Sequence, residues 1–287
     1  MIRTFSVALL CLAGLIIASS SGAKIISSEK LADIERVIAE ADSETLLIFD
    51  CDGVIWESAA RAFQGDEKRV TKAFMKKYLA TLSVAAEEKI LRYLWEKVPK
   101  QLLEEKMPAL IAVAQSRGIK TLMLTGAGVG RIGTTSRETR TIQHLLHHGI
   151  SFGNSWNLGK MTFDHLLSFH RGAVSAATFS SGILFSITQD KGVVLRAFLE
   201  KIPSYKFKKI IFIDDKMKHL KSVETVADEI GAEFVGIEYT IAKKKKRTPA
   251  DLTKIKRELV NFLKTASSIG RSVSEEISLD GTISASP

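Results

Sequence analysis

Apolar residues along this chain fall into two alternating periods. Leu31, Ile34, Val37 and Ile38 recur every three or four positions, as on one face of a helix, and residues 45–49 (Thr-Leu-Leu-Ile-Phe) then run almost continuously apolar up to Asp50. A short apolar run with an abrupt polar end predicts a strand buried on both faces. The alternation returns three times. Leu110, Ile111, Val113 and Ala114 form a helical stripe opened by Pro108 and stopped at Gly118, ahead of a strand over 119–124. Val194, Leu195 and Phe198 precede a strand over 209–213, and Leu220, Val223, Ala227 and Ile230 precede one over 234–239. Repeated helix and buried-strand units predict an α/β fold, a Rossmann-like doubly wound parallel sheet covered by helices on both faces. Such sheets bind ligands beyond the carboxyl ends of their strands. The residues that follow each apolar run are therefore the candidates for chemistry: Asp50-Cys51-Asp52-Gly53, Thr125-Gly126-Ala127-Gly128 and Asp214-Asp215.

Two segments break the repeat. Residues 56–107 are charged and helix-forming, with Phe74, Tyr78, Leu79, Ile90, Leu91 and Trp95 among them, and are expected to form a small helical cap. Residues 153–189 contain Trp156, Phe163, Phe169 and the stretch Gly182-Ile-Leu-Phe-Ser186, and are expected to form a second insertion with a hairpin. Residues 266–287 are Ser-rich with few apolar positions and are expected to be disordered, which leaves 24–265 as the folded domain.

The amino terminus changes the setting. Arg3 precedes an apolar run over 6–18 that ends in small residues, the pattern of a signal peptide over 1–23, so export to a periplasmic or extracellular space is expected. Of the two cysteines, Cys11 lies in that segment and Cys51 remains alone, so no internal disulfide is expected. The formal charge of +9 falls to +8 once Arg3 leaves, which favours anionic ligands. Part of that charge lies in residues 243–247 (Lys-Lys-Lys-Lys-Arg). No aromatic residues are interleaved there to stack bases, so it reads as a solvated loop rather than a nucleic-acid interface.

The strand-end residues also carry a resemblance. Asp50-Cys51-Asp52-Gly53-Val54-Ile55 resembles the first motif of the haloacid dehalogenase superfamily, in which the first Asp is a nucleophile and the second a general acid/base. Thr125 resembles the second motif, where a hydroxyl and the next backbone N–H, here that of Gly126, hold phosphoryl oxygens. Lys191, in Gln189-Asp-Lys-Gly-Val193, resembles the third, and Asp214-Asp215 the fourth, which supplies acidic metal ligands. Each feature alone is common, but all four occur in the superfamily's order and each follows or precedes the appropriate element.

The resemblance implies a Mg²⁺-dependent phosphomonoester hydrolase acting on a small phosphorylated substrate. Carboxylate attack on a phosphoryl group needs neutralising charge, and hard oxygen ligands suit Mg²⁺. It further implies that Asp50 offers a carboxylate oxygen to the metal, Asp52 its backbone carbonyl, Asp215 direct coordination and Asp214 an outer role. One departure stands out: the loop after Thr125 is Gly126-Ala-Gly-Val-Gly130, without the arginine usual at that edge. Phosphoryl transfer to another acceptor fits the same residues. Dehalogenation fits less well, since it needs neither Asp52 nor a metal. From a different class, the chain would be an exported binding or effector module with a protein partner and no turnover. Cys51, beside two acids, is not expected to be nucleophilic. His144 and His148, spaced i, i+4, could ligate a metal, and His219 could modulate the nearby acidic doublet, but helix-surface positions are the expectation for all three.

Overall fold

The computed structural model describes residues 24–64, 67–132, 135–170, 173–244, 257–261 and 263–265. The expected signal peptide, the expected tail and residues 245–247 of the basic run lie outside them, as does the side chain of Trp95.

In chain order the elements are β1 (Lys24–Ser28), α1 (Leu31–Ala39), β2 (Thr45–Phe49), β3 (Trp56–Ser58), α2 (Glu67–Leu79), α3 (Val84–Lys97), β4 (Lys100–Leu102), α4 (Met107–Ser116), β5 (Lys120–Thr125), β6 (Arg131–Ile132) and β7 (Thr135–Ser136). They continue with α5 (Arg137–His147), β8 (Met161–His170), β9 (Ala173–Ser180), β10 (Ile183–Phe185), α6 (Lys191–Lys201), β11 (Lys209–Asp214), α7 (Met217–Glu229), β12 (Glu233–Tyr239) and α8 (Ile241–Lys244).

Eight strands form one sheet in the order β1-β12-β11-β2-β5-β10-β9-β8. All pairings from β1 to β10 are parallel; β9 and β8 close the far edge antiparallel. Alternation along β2 explains why the run 45–49 is apolar throughout. Leu47 and Phe49 face a core completed by α1, α4 and α5, whereas Leu46 and Ile48 face a second core completed by α6 and α7. Helices therefore cover both faces, and the sheet is α/β and mostly parallel.

Two parts of the architecture differ from expectation. β1 lies within residues that carry no clear period, and it pairs with β12 from Lys24↔Val235 to Ser28↔Tyr239. The segment 153–189 is built into the sheet rather than added to it: β8 and β9 form a long hairpin, and β10 pairs parallel with β5 from Ile183↔Met123 to Phe185↔Thr125. Trp156 and Phe163 are buried there, while Phe169 on the outer hairpin is 75% exposed.

Residues 56–107 begin and end in a two-stranded ribbon, with Trp56 opposite Leu102 and Ser58 opposite Lys100, which carries the chain out of the core and back. Between these strands α2 and α3 share a small apolar cluster, Met75, Leu79 and Ile90, joined by Leu259 and Leu263 from the helical residues 257–261 and 263–265. Phe74 stacks on Tyr78 at 6.2 Å between ring centroids. Among the described residues, no helix is long and apolar enough to cross a membrane.

Candidate functional site

The sheet order places β2 between β11 and β5, so the residues that leave these three strands meet at one edge. Asp50 follows β2 directly, and its N–H donates to the Ile213 carbonyl of β11 at 2.8 Å, which extends the pairing one residue beyond Phe49. The register pairs Ile213 with Phe49 and Phe49 with Met123, so Asp214 and Thr125 end the neighbouring strands beside Asp50.

Lys191 ties this edge together. It opens α6, whose first turn is capped by Asp190 accepting from the N–H groups of Gly192 and Val193. From there its ammonium reaches Asp50 Oδ1 and Asp214 Oδ2, each at 2.7 Å, while all three side chains are buried. Burial pushes the Asp50 carboxyl up to about 6, with Lys191 opposing the rise and Asp214 adding to it. Asp214 goes the other way. Burial also acts to raise it, but the hydrogen bond from His219 and the charge of Lys191 prevail and hold it below the ordinary carboxylate range.

Asp214 is surrounded by donors. Besides Lys191 it accepts from the Lys216 N–H at 2.8 Å, and the His219 ring nitrogen Nδ1 lies 3.0 Å from both of its oxygens. His219 was expected on a helix surface; one turn into α7, it instead faces back onto the acidic doublet. Asp215 contrasts with its neighbour. Its Oδ1 is buried and accepts no hydrogen bond, although Lys216 Nζ stands 3.3 Å away. It packs against the Asp50–Gly53 turn: Gly53 has φ +90, and a Cβ there would lie 3.2 Å from Asp215 Cγ. Both the left-handed backbone and the close approach require glycine at that position.

Asp52 lies on the outer side of the turn. Its side chain is 54% exposed, and Oδ1 accepts from Trp56 Nε1 at 3.1 Å and from Lys100 Nζ at 3.3 Å. Partial burial acts to raise its carboxyl, but Lys100 and Lys68 outweigh that and hold it below the usual range. Cys51, buried between the two acids, has its thiol pushed well up by burial and then by Asp52 and Asp50, so it is an inert core residue.

Thr125 is buried at the end of β5. Its hydroxyl oxygen accepts from the Ala127 N–H at 3.2 Å, and its carbonyl accepts from the Ser186 N–H at 2.8 Å and hydroxyl at 3.1 Å. Gly126, next along, is exposed. An arginine from α5 approaches this loop. Arg137 lies over Gly128, where a Cβ would come within 2.6 Å of a guanidinium nitrogen. His144 of α5 and His148, just past its end, pack on Trp56 at centroid distances of 6.1 and 6.4 Å instead of standing in solvent.

Two readings of a metal ligand set differ. Ligand atoms of Asp50, Asp214 and His219 lie within 4.8 Å of one another. That group is already satisfied internally by Lys191 and by the His219–Asp214 bonds, and imidazole suits softer ions than Mg²⁺. The all-oxygen set fits a hard cation better: Asp215 offers the buried, unbonded oxygen, Asp50 lies on the adjoining turn, and the Asp52 carbonyl belongs to that same turn.

Above this edge, between the Asp52–Gly53 turn, Asp215 and the helices α2 and α3, lies a cavity of about 750 Å³. Lys243 of α8 also lines it and donates to the Asp215 carbonyl, with Glu238 3.3 Å away, so the first residue of the basic run belongs to the site's surroundings.

The family described as "Protein of unknown function (DUF2608)" matches residues 27–269 of the chain. The chain belongs to this family. No curated protein and no solved structure matches it. The DUF2608 match takes in the strand-end acids, the helical insert and the sheet apart from the first residues of β1.

Proposed function

We propose that this chain is a Mg²⁺-dependent phosphomonoester hydrolase of the haloacid dehalogenase type, working through an aspartyl-phosphate on Asp50. The observation that carries the reading is the division of labour among the acids. Asp50 and Asp214 share the Lys191 ammonium at 2.7 Å, while Asp215 keeps a buried oxygen that accepts no hydrogen bond and meets the Lys216 ammonium only at 3.3 Å. Asp50, Asp215 and the Asp52 carbonyl would hold the ion, and Asp214 would orient Lys191 and His219. When bound, Mg²⁺ supplies positive charge against the phosphoryl oxygens.

In the first half-reaction an Asp50 oxygen attacks phosphorus, the bond to the leaving oxygen breaks, and Asp52 gives that oxygen its proton. In the second, water attacks the aspartyl-phosphate, its proton passes to Asp52, and inorganic phosphate leaves with Asp50 restored. As found, Asp52 is ionised and ready for the second half; the approach of a phosphate dianion raises its proton affinity for the first. Thr125 and the Gly126 N–H would hold phosphoryl oxygens, with Lys191 balancing their charge and Arg137 available at the same edge.

The test is phosphate release from a panel of phosphomonoesters with Mg²⁺ or EDTA. Release should require Mg²⁺ and fall by at least about a thousandfold in Asp50→Asn. Undiminished release from that variant, or no release from any substrate, would overturn the proposal in favour of a binding module without turnover.

A further inference from the structure

The cavity beneath α2 and α3 has two kinds of wall. Lys68, Lys72 and Lys76 follow one another at i, i+4 and i+8 on α2, which stacks their side chains along one face of the helix over a rise of about 12 Å. Interleaved with them on the same face, Met75 and Leu79 reach the cavity, and Leu91 and Leu94 face it from α3. Neither wall is explained by the reacting edge alone.

The lysines differ from the other cations nearby. Lys100 is committed to Asp52, Lys216 to Asp215, and Lys243 to the Asp215 carbonyl. The ammoniums of Lys68, Lys72 and Lys76 make no hydrogen bond or close ion pair among the described residues, although Lys68 lies near enough to Asp52 to lower its carboxyl. Lys72 is also crowded: burial, followed by Lys68 and then Lys216, pushes it below the ordinary lysine range despite the opposing pull of Asp52 and Asp215. A ladder of like charges on a cavity wall favours an anionic ligand, and the aliphatic wall beside it favours an apolar body. The volume, about 750 Å³, suits a ligand of ordinary metabolite size or larger.

Building on the hydrolase reading, we propose that this cavity is the leaving-group subsite and takes amphiphilic phosphomonoesters. The substrate's second anionic group meets Lys72 and Lys76, with Lys68 nearer the reacting phosphate, and its apolar body lies on Met75, Leu79, Leu91 and Leu94. An acyl-chain phosphate bearing a second charge and a nucleoside bisphosphate share this chemistry.

The proposal is tested by binding rather than turnover, so that it stands apart from the hydrolase reading. Calorimetric titration of the full chain in Mg²⁺ compares methylphosphonate, octylphosphonate, the ω-carboxylated octylphosphonate and adenosine 3′,5′-bisphosphate. Affinity should rise in that order over the first three, by about tenfold at each step. Lys72→Ala and Lys76→Ala should each erase most of the gain from the carboxylate, and Leu91→Asn most of the gain from the chain. Lys77→Ala, exposed and away from the cavity wall, serves as the unchanged control. Tighter binding of the bisphosphate or of the carboxylated chain supports the shared chemistry and assigns the body as ring or chain. Equal affinity for methylphosphonate and the longer analogues, no effect of either lysine variant, or no binding at all overturns it. Phosphate release lost in Asp50→Asn alongside flat binding would retain the hydrolase and remove only this subsite.

Discussion

The strand-end acids and the helical insert above them are built on opposite terms. At the sheet edge nearly every charge has a partner: Lys191 is shared by Asp50 and Asp214, and Asp214 is filled by Lys191, the Lys216 N–H and His219. In the insert, α2 exposes a row of lysines toward a cavity, and a small cluster around Met75, Leu79 and Ile90 holds the helices together. A buried ionic network fixes positions to within a fraction of an ångström but tolerates little change. A thin apolar cluster flanked by solvated lysines moves and varies more cheaply. On the hydrolase reading proposed above, chemistry that must be the same in every turnover would belong on the first, and selection among ligands on the second.

The difference is broken most severely at Lys191. Lys191→Met leaves two buried carboxylates without their shared cation and should cost about 3–5 kcal/mol in a urea titration. A loss below about 1 kcal/mol would mean that the edge is far more solvated than its burial indicates. Ile90→Ala, in the insert, should cost about 2–4 kcal/mol by cavity formation. Here hydrogen exchange separates the regions: amides of α2 and α3 should lose protection while β2 and β11 keep theirs. Equal loss in both would make insert and sheet one cooperative unit. Mg²⁺ sharpens the contrast from the other side. At a hundredfold excess over its dissociation constant it should stabilise the chain by about 2.7 kcal/mol, and Asp215→Asn should remove most of that gain. Asp215→Asn with its Mg²⁺ response intact would return the metal to the Asp50–Asp214–His219 group.

Much of this arrangement was legible in the sequence, for a physical reason. A strand buried on both faces must be apolar throughout, so the runs before Asp50, Thr125 and Asp214 stand out, and a parallel sheet brings their carboxyl ends together. Lys191 was singled out by the resemblance, whose third motif places a lysine at a helix start. What could not be read depends on partners distant in sequence. The residues of β1 show no period and become a strand only by pairing with β12, and β10 joins the sheet only because β5 offers an unpaired edge. His219 on Asp214, Arg137 over Gly128 and Lys243 on the Asp215 carbonyl are contacts between elements, which spacing along one element does not encode. The histidines of α5 show the same limit: their spacing suggested a free helix face, and Trp56 covers it.

That covered face gives the smallest effect and joins the two regions, since Trp56 both binds Asp52 and begins the insert's ribbon. Burial, followed by Arg140 and Lys100, lowers His144 from 6.5 to about 4. Between those values the unfolded chain carries more protons at this residue than the folded one, so its contribution is present above pH 6.5 and lost as pH falls toward 4. Screening of a half-buried group reduces the loss to about 1–2 kcal/mol. Asp50 acts in the reverse sense: raised to about 6 in the folded chain, it favours the folded state as pH falls from 6 toward its unfolded value. The two slopes oppose each other, so in the unaltered chain each partly offsets the other across this range. His144→Gln should unmask the Asp50 slope, giving a variant that gains stability relative to the parent on acidification. A pH profile parallel to the parent's would mean that His144 is solvated in the folded chain and that Trp56 does not shield it.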